Sequence, residues 1–157
     1  MSIDRVRGYF RERGIEDRIR EYETSSATVE LAAQAAGCEP ARIAKTLSFR
    51  VGEDIVLVVA AGDTRIDNQK FKVRFGCKAK MLAFEEVEPA IGHAVGGVCP
   101  FAVNEGVLIY LDESLRRFET VFPACGSENS AIELAIAELE SLSRSLGWID
   151  VCRLKEA

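Results

Sequence analysis

The run Ile55-Val-Leu-Val-Val-Ala-Ala61 leaves this chain the least freedom. It is apolar throughout, so neither side of it can face water, and it is too short to cross a bilayer. Ile55, Val56, Val58 and Val59 are β-branched, which predicts a strand rather than a buried turn of helix. That strand must be covered on both faces. Just upstream, Thr46 to Arg50 alternates polar and apolar, with Leu47 and Phe49 on one face. Gly52-Glu53-Asp54 reads as a tight turn between the two strands.

The flanking chain supplies helices to cover such a sheet. Ser2 is placed to cap a first helix, with Ile3, Val6 and Phe10 on one face and Gly14 as its stop. Residues 15 to 27 read as a connection with room for a short strand. Thr28 caps a second helix that Gly37 ends, and Pro40 opens a short helical turn ending near Ile43. Asp67 caps a third helix, NQKFKVRF, whose Phe71 and Phe75 fall at i,i+4 and read as core, with Gly76 as the stop. A fourth spans Phe84 to Glu88, since Pro89 argues against extension. A last helix covers 136 to 146 and stops at Gly147. Further strands are expected at Lys78 to Leu82, Val107 to Leu111, Glu119 to Pro123, Ser130 to Leu134 and Trp148 to Cys152, and Asp112 caps a short helical segment. Strands and helices interleave, and neighbouring strands are hairpin-like. The expected class is α/β, built on a mixed sheet. At 157 residues, with no repeat, low-complexity segment or interior linker, the simplest organisation is one domain over 1–157.

Composition narrows the chemistry. The N-terminus has no apolar h-region, and the five cysteines, Cys38, Cys77, Cys99, Cys125 and Cys152, are widely spaced and never CxxC. That pattern implies reduced thiols in a cytoplasm, and argues against a disulfide framework or a zinc site. A single histidine makes most transition-metal sites unsuitable, so neither metal nor cofactor is expected. The net charge of −5 by itself argues against a general nucleic-acid binder. The charge is uneven, however. Arg65, Lys70, Lys72, Arg74, Lys78 and Lys80 face Asp67 alone between residues 65 and 80, a local +5 that leaves −10 for the rest. A basic face on an acidic body suits contact with one end of a polyanion; a solvated amphipathic helix is the plainer alternative.

Residues 91 to 101, IGHAVGGVCPF, form neither a helix nor a central strand. Gly96 and Gly97 can take positive φ and let another molecule approach the backbone, while Pro100 biases Cys99 toward an extended conformation. The expected product is a loop of set shape with backbone N–H groups free for an anion or a developing oxyanion. A tight turn between two elements is the alternative.

Taken in order, IAKTLSF before a buried strand, DNQKFK, GHAVGGVCPF and ACGSENSAIEL resemble the YbaK-like family, free-standing relatives of the editing domain inserted in bacterial prolyl-tRNA synthetases. The resemblance spans roughly residues 25 to 150. It implies a twisted, barrel-like mixed sheet flanked by helices, and hydrolysis in trans of wrongly charged aminoacyl-tRNA, tRNA(Pro) with a wrong small amino acid first among them. It places the family lysine at Lys45 and the substrate loop at Gly96, Gly97, Val98, Cys99 and Pro100, with Asn129 and Ser130 near the pocket. Many relatives carry serine where this chain has Cys99. The partners so implied are the acceptor end of an aminoacyl-tRNA and a prolyl-tRNA synthetase, with no membrane and no DNA.

An aminoacyl ester is already activated, so the protein must hold the 3′ end, polarise the carbonyl and place a water. Lys45, and the N–H groups of Gly97 and Val98, are the catalytic candidates. Thr46, Lys70, His93, Gly96, Cys99, Pro100, Asn129 and Ser130 are the substrate-binding ones. Two other readings stay open: a cysteine hydrolase that pairs Cys99 with His93, and a non-catalytic module that binds tRNA or a synthetase. Neither GxGxxG nor a P-loop is present, which disfavours a nucleotide-dependent oxidoreductase.

Overall fold

The Ile55–Ala61 run is the hub of the molecule. The computed structural model describes residues 2–155. In chain order it contains α1 (Ser2–Arg11), β1 (Arg20–Glu21), α2 (Val29–Ala36), β2 (Ile43–Val51), β3 (Asp54–Ala61), β4 (Thr64–Ile66), α3 (Asn68–Phe75), α4 (Phe84–Ile91), β5 (Leu108–Asp112), β6 (Thr120–Pro123), β7 (Ser130–Ala131), β8 (Leu134–Ala135), α5 (Ile136–Ser143), β9 (Trp148–Ile149) and β10 (Cys152–Leu154). Short 3₁₀ turns lie at Glu16–Arg18, Pro40–Arg42 and Glu113–Arg117.

Six strands make a curled mixed sheet in the order β8-β6-β2-β3-β5-β9. β3 pairs antiparallel with β2, from Ala44 opposite Ala61 to Val51 opposite Asp54. Its other edge pairs parallel with β5. β2 in turn pairs parallel with β6 at Ile43–Phe122 and Ala44–Pro123. Two further antiparallel pairs, β1 with β7 and β4 with β10, form separate two-stranded sheets.

β3 is buried from Val56 to Ala61, and its alternation splits the core in two. Val59 and Ala61 join Val6 and Phe10 of α1 and Leu139 of α5. Val58 and Ala60 face the other way, onto Phe49 of β2 and Phe71 of α3. Leu57 packs with Val87 and Ile91 of α4. Phe71 is fully buried and Phe75 stacks against it at 4.7 Å, so this pair belongs to the core.

The caps read from sequence hold at Thr28, Asp67 and Asp112, each of which accepts a backbone N–H of its own first turn. Asp112 also accepts Val151 N–H at 2.9 Å, so one buried carboxylate joins a turn to the C-terminal segment. Elsewhere tertiary contacts override local signals. Ser2 does not cap α1 but lies within it, and its hydroxyl donates to Gly126 O. α4 continues past Pro89 to Ile91. The proline sits in an exposed last turn, Val87 and Ile91 are held in the core, and Asn104 Nδ2 donates to the carbonyls of Pro89 and Ala90 at 3.0 and 3.2 Å. α5 ends at Ser143 rather than running to residue 146. Arg144 takes the left-handed conformation at φ 55°, and β5 claims the next backbone groups through Leu146 N–H on Ile109 O. The strand expected at Lys78 to Leu82 reduces to a bridge between Phe49 and Met81, and the one at Ser130 to Leu134 splits into β7 and β8.

Candidate functional site

Where β2 begins, its first residues meet four other pieces of chain around a cavity of about 330 Å³. Ile43 to Thr46 and Ser48 of β2 form one wall. Thr28, Val29 and Ala32, at the start of α2, form a second. Met81, Leu82, Phe84 and Val87 close a third side, Val95, Gly96 and Val98 of the glycine loop a fourth, and Phe122, Ala124, Ser130 and Ala131 a fifth. The lining is mainly apolar, with hydroxyls at Ser26, Thr28, Thr46, Ser48 and Ser130 and a single cation, Lys45. Apolar walls with a few convergent polar groups are the usual make-up of a small-ligand site.

Lys45 sits opposite Ala60 in the hairpin, on the face of β2 away from Thr46 and Ser48. Its ammonium donates to Thr64 O, at the end of the turn that follows β3. An ammonium has three donors, so two remain for a ligand. Burial holds Lys45 below the usual lysine range, and the positive charge of Lys155 lowers it further. A partly desolvated cation acts more strongly on an ester carbonyl or a phosphate than one in bulk water.

The glycine loop has the set shape expected of it, by a route that differs at one glycine. Gly96 lies at φ 96°, in the region that favours glycine. Gly97 is not in that region. Its hydrogen faces the backbone of the neighbouring loop, where an added Cβ would lie 2.7 Å from Gly126 C and from Ser127 N. Glycine is therefore needed at 97 for close packing of two backbones. The donors are divided as well. Gly97 N–H is spent on Ala94 O at 3.0 Å, which corrects the expectation that it is free for an oxyanion. Among the described residues the N–H groups of Gly96 and Val98 have no hydrogen-bond partner.

His93 and Cys99 lie beneath this loop, in the core. Both side chains are fully buried, and neither lines the cavity. His93 Nε2 is 2.7 Å from Phe101 O, which can only accept, so Nε2 carries the proton and donates it there. That leaves Nε2 no lone pair for the Cys99 thiol 3.5 Å away. Burial pushes the Cys99 thiol up to about 12 and lowers His93, so the pair is neutral thiol and neutral imidazole. His93 Nδ1 is buried without a partner.

Of the other expected site residues, Thr46 and Ser130 line the cavity and the rest stand apart from it. Ser130 Oγ lies 2.7 Å from Ser127 Oγ and donates to it, because the Ser127 proton goes to Asn129 Oδ1. Asn129 fastens its loop instead, donating from Nδ2 to Tyr22 O at 2.9 Å and accepting at Oδ1 from Ser127. Pro100 lines a different surface pocket, with Tyr9 and Asn104. Lys70 pairs with Asp150 at 3.0 Å and donates to Cys152 O, tying α3 to β10. Arg74 stacks over Phe75 and Tyr110. Arg65, Lys72, Arg74, Lys78 and Lys80 are the exposed cations of the 65–80 segment that enter no ion pair among the described residues. Ser26, Ser48 and Phe84 are cavity residues that the sequence reading passed over. Thr28 it took only as a cap, and Phe84 only as the first residue of a helix.

All five cysteines are free. Among the described residues no cluster of three or more His, Cys, Asp or Glu side chains is placed to hold a metal, and no helix is long and apolar enough to cross a membrane.

A small α/β domain with an apolar cavity, one half-buried lysine and two loop amides without hydrogen-bond partners among the described residues has the make-up of a small-ligand site. Comparison with known proteins narrows this. Residues 23–142 match the model of the aminoacyl-tRNA editing domain, and the chain belongs to that family. It is 54% identical over 154 residues, 98% of each chain, to the uncharacterized protein YwhH of Bacillus subtilis (strain 168). It is 31% identical over 90 residues to a proline–tRNA ligase of Bacillus cytotoxicus; the matched part is 57% of this chain but only 16% of the ligase. Among solved structures, a candidate trans-editing enzyme for prolyl tRNA synthetase superposes with a TM-score of 0.85 at 32% identity, over 99% of this chain and 98% of that one.

Proposed function

We propose that this protein hydrolyses, in trans, the ester that joins a wrong amino acid to the 3′ end of a tRNA, with tRNA(Pro) carrying a small incorrect residue as the substrate. The observation that carries the reading is the position of Lys45 at the cavity, two ammonium donors unspent, in a chain of the editing-domain family. The ester needs no strong nucleophile. It needs its carbonyl polarised, its 3′ end held and a water placed beside it. In this reading Lys45 supplies the cation, Val98 N–H and Gly96 N–H supply the dipoles, and Thr46 and Ser130 offer hydroxyls within the walls. Gly97 acts by letting the loop lie against Gly126–Ser127. The cysteine-hydrolase reading has the geometry against it, because Cys99 is closed off, protonated and without a base.

The test is a deacylation panel. Purified protein is mixed with tRNA(Pro) charged with alanine, cysteine, serine, threonine or proline, and loss of ester is followed against buffer alone. Rapid loss of one or more of the small non-cognate esters, with prolyl ester near the buffer rate, is the expected result. No ester lost faster than in buffer would leave a binding module and overturn the hydrolytic assignment.

A further inference from the structure

Apolar side chains at the mouth of the cavity stand in solvent without partners. Phe84 is 76% exposed, Met81 57% and Val95 47%, and all three line the cavity at its edge. Phe84 opens α4, and among the described residues it enters no ring stack and lies under no guanidinium. The ledge is held rigidly from behind. Met81 bridges Phe49 in β2, Ala83 N–H is bound by Glu86 Oε1 at 2.9 Å, and Leu82 and Val87 are core. The exposed cations Lys78 and Lys80 lie close by in the chain and enter no ion pair among the described residues. An aromatic face beside unpaired cations is the common means of holding a single-stranded nucleic-acid end, because every base has a π-face and every nucleotide a phosphate.

We propose that Phe84 is the stacking platform for the 3′-terminal adenine of the tRNA, with Met81 and Val95 flanking it, so that the ester at the ribose hangs into the cavity. The proposal rests on the aminoacyl-ester reading of the site. It names Phe84 as a positioning residue, which sets where the reacting carbonyl lies and takes no part in bond making. The 3′ end is the occupant that the ledge fits because the ledge is continuous with the cavity that receives the acyl group.

Two measurements separate this proposal from the reading beneath it. The first uses an uncharged RNA minihelix ending in CC followed by 2-aminopurine, a fluorescent adenine analogue, and needs no hydrolysis. Stacking on Phe84 should quench it on binding. Phe84→Ala should abolish the quench and weaken binding by about 10-fold, and Phe84→Trp should restore both. The second is steady-state deacylation of the best mischarged tRNA. Phe84→Ala should raise KM about 10-fold with a smaller change in kcat, and its melting temperature should equal wild type because the side chain is exposed. Phe84→Leu keeps the apolar surface but not the ring, and should behave like Phe84→Ala. If Phe84→Leu restores the quench and KM, or if Phe84→Ala leaves both unchanged, the stacking role is lost while the deacylase reading stands. Phe84-dependent self-association without RNA would reassign the ledge to a second copy. A quench that depends on Phe84 in a protein that hydrolyses no ester would keep the platform and reject the hydrolase.

Discussion

One loop feeds two very different places. Gly96 and Val98 turn outward and line the cavity, while Cys99 turns inward beside His93. By residue type the inner place looks more reactive, since it holds a thiol and an imidazole 3.5 Å apart. By environment it is inert. Burial favours the neutral form of each, the imidazole proton is committed to Phe101 O, and the pair does not reach the cavity. The outer place has only a lysine, hydroxyls and backbone amides. Yet its lysine keeps spare donors and its amides are unspent. Access and unsatisfied donors, more than nucleophile identity, separate a working site from a packed one.

The sharpest way to break this contrast is at Lys45. Lys45→Ala should cost about 100- to 1000-fold in deacylation, the scale for losing one preorganised electrostatic group. It should also remove about 1–3 kcal/mol of stability by leaving Thr64 O without its donor. Deacylation rates beside a thermal melt check both, and activity within a few-fold of wild type would move the chemistry elsewhere. On the proposed mechanism the charged ammonium is the form that polarises the carbonyl, and its pKa lies below the ordinary 10.5. The advantage over spontaneous hydrolysis should therefore fall as pH rises through that lowered value. Lys45→Arg should flatten this fall.

The loop glycines give the next largest effect. Gly97→Val drives a side chain into Gly126 and Ser127, and should cost about 3 kcal/mol or more together with most activity. Gly96→Ala meets nothing closer than 3.4 Å and suffers only its positive φ, for about 1 to 2 kcal/mol. Denaturant midpoints of the two variants test the order; equal losses would show that the two loops do not bear on each other at Gly97.

The inner pair should speak through stability alone. His93 is held neutral, its pKa lowered by burial, so the unfolded chain binds more protons once pH falls below about 6.5. The contribution is complete above that pH and is lost as pH falls toward the lowered value. His93→Gln should flatten the decline of melting temperature as pH falls below about 6.5. Cys99→Ser has the smallest expected effect, a few-fold in activity at most, and iodoacetamide should leave the native protein active. Complete loss in Cys99→Ser with an intact melt, or an acyl group trapped on Cys99, would make the inner pair the catalytic one.

Much of the frame was legible from the chain. The buried run at 55–61, the alternating strand before it, and the caps at Thr28, Asp67 and Asp112 depend on neighbours in sequence, and they fold as read. Signals settled by distant partners misled. Pro89 did not stop α4 because Asn104 and the core hold its last turn, and Gly147 did not stop α5 because β5 had already taken the backbone before it. The site was legible in part. Lys45, Thr46, Gly96, Val98 and Ser130 converge on the cavity, whereas Lys70, Asn129 and Pro100 serve other contacts.

The sequence by itself determined the central hairpin, the capped helices α2 and α3, and that a glycine loop interrupts the later elements, because periodicity, caps and φ restrictions act over a few residues. Only the tertiary structure decided which side of that loop faces solvent. His93 and Cys99 are six residues apart and within contact distance, which sequence allowed, but whether they are open or closed depends on the core cluster that Cys99 and Phe101 join with Phe10 and Cys125 from distant parts of the chain. The roles of Gly97, fitted to Gly126–Ser127, and of Phe84, left bare at the cavity mouth, are likewise set by what lies across the fold, since burial and exposure are properties of the folded surface and not of the residue.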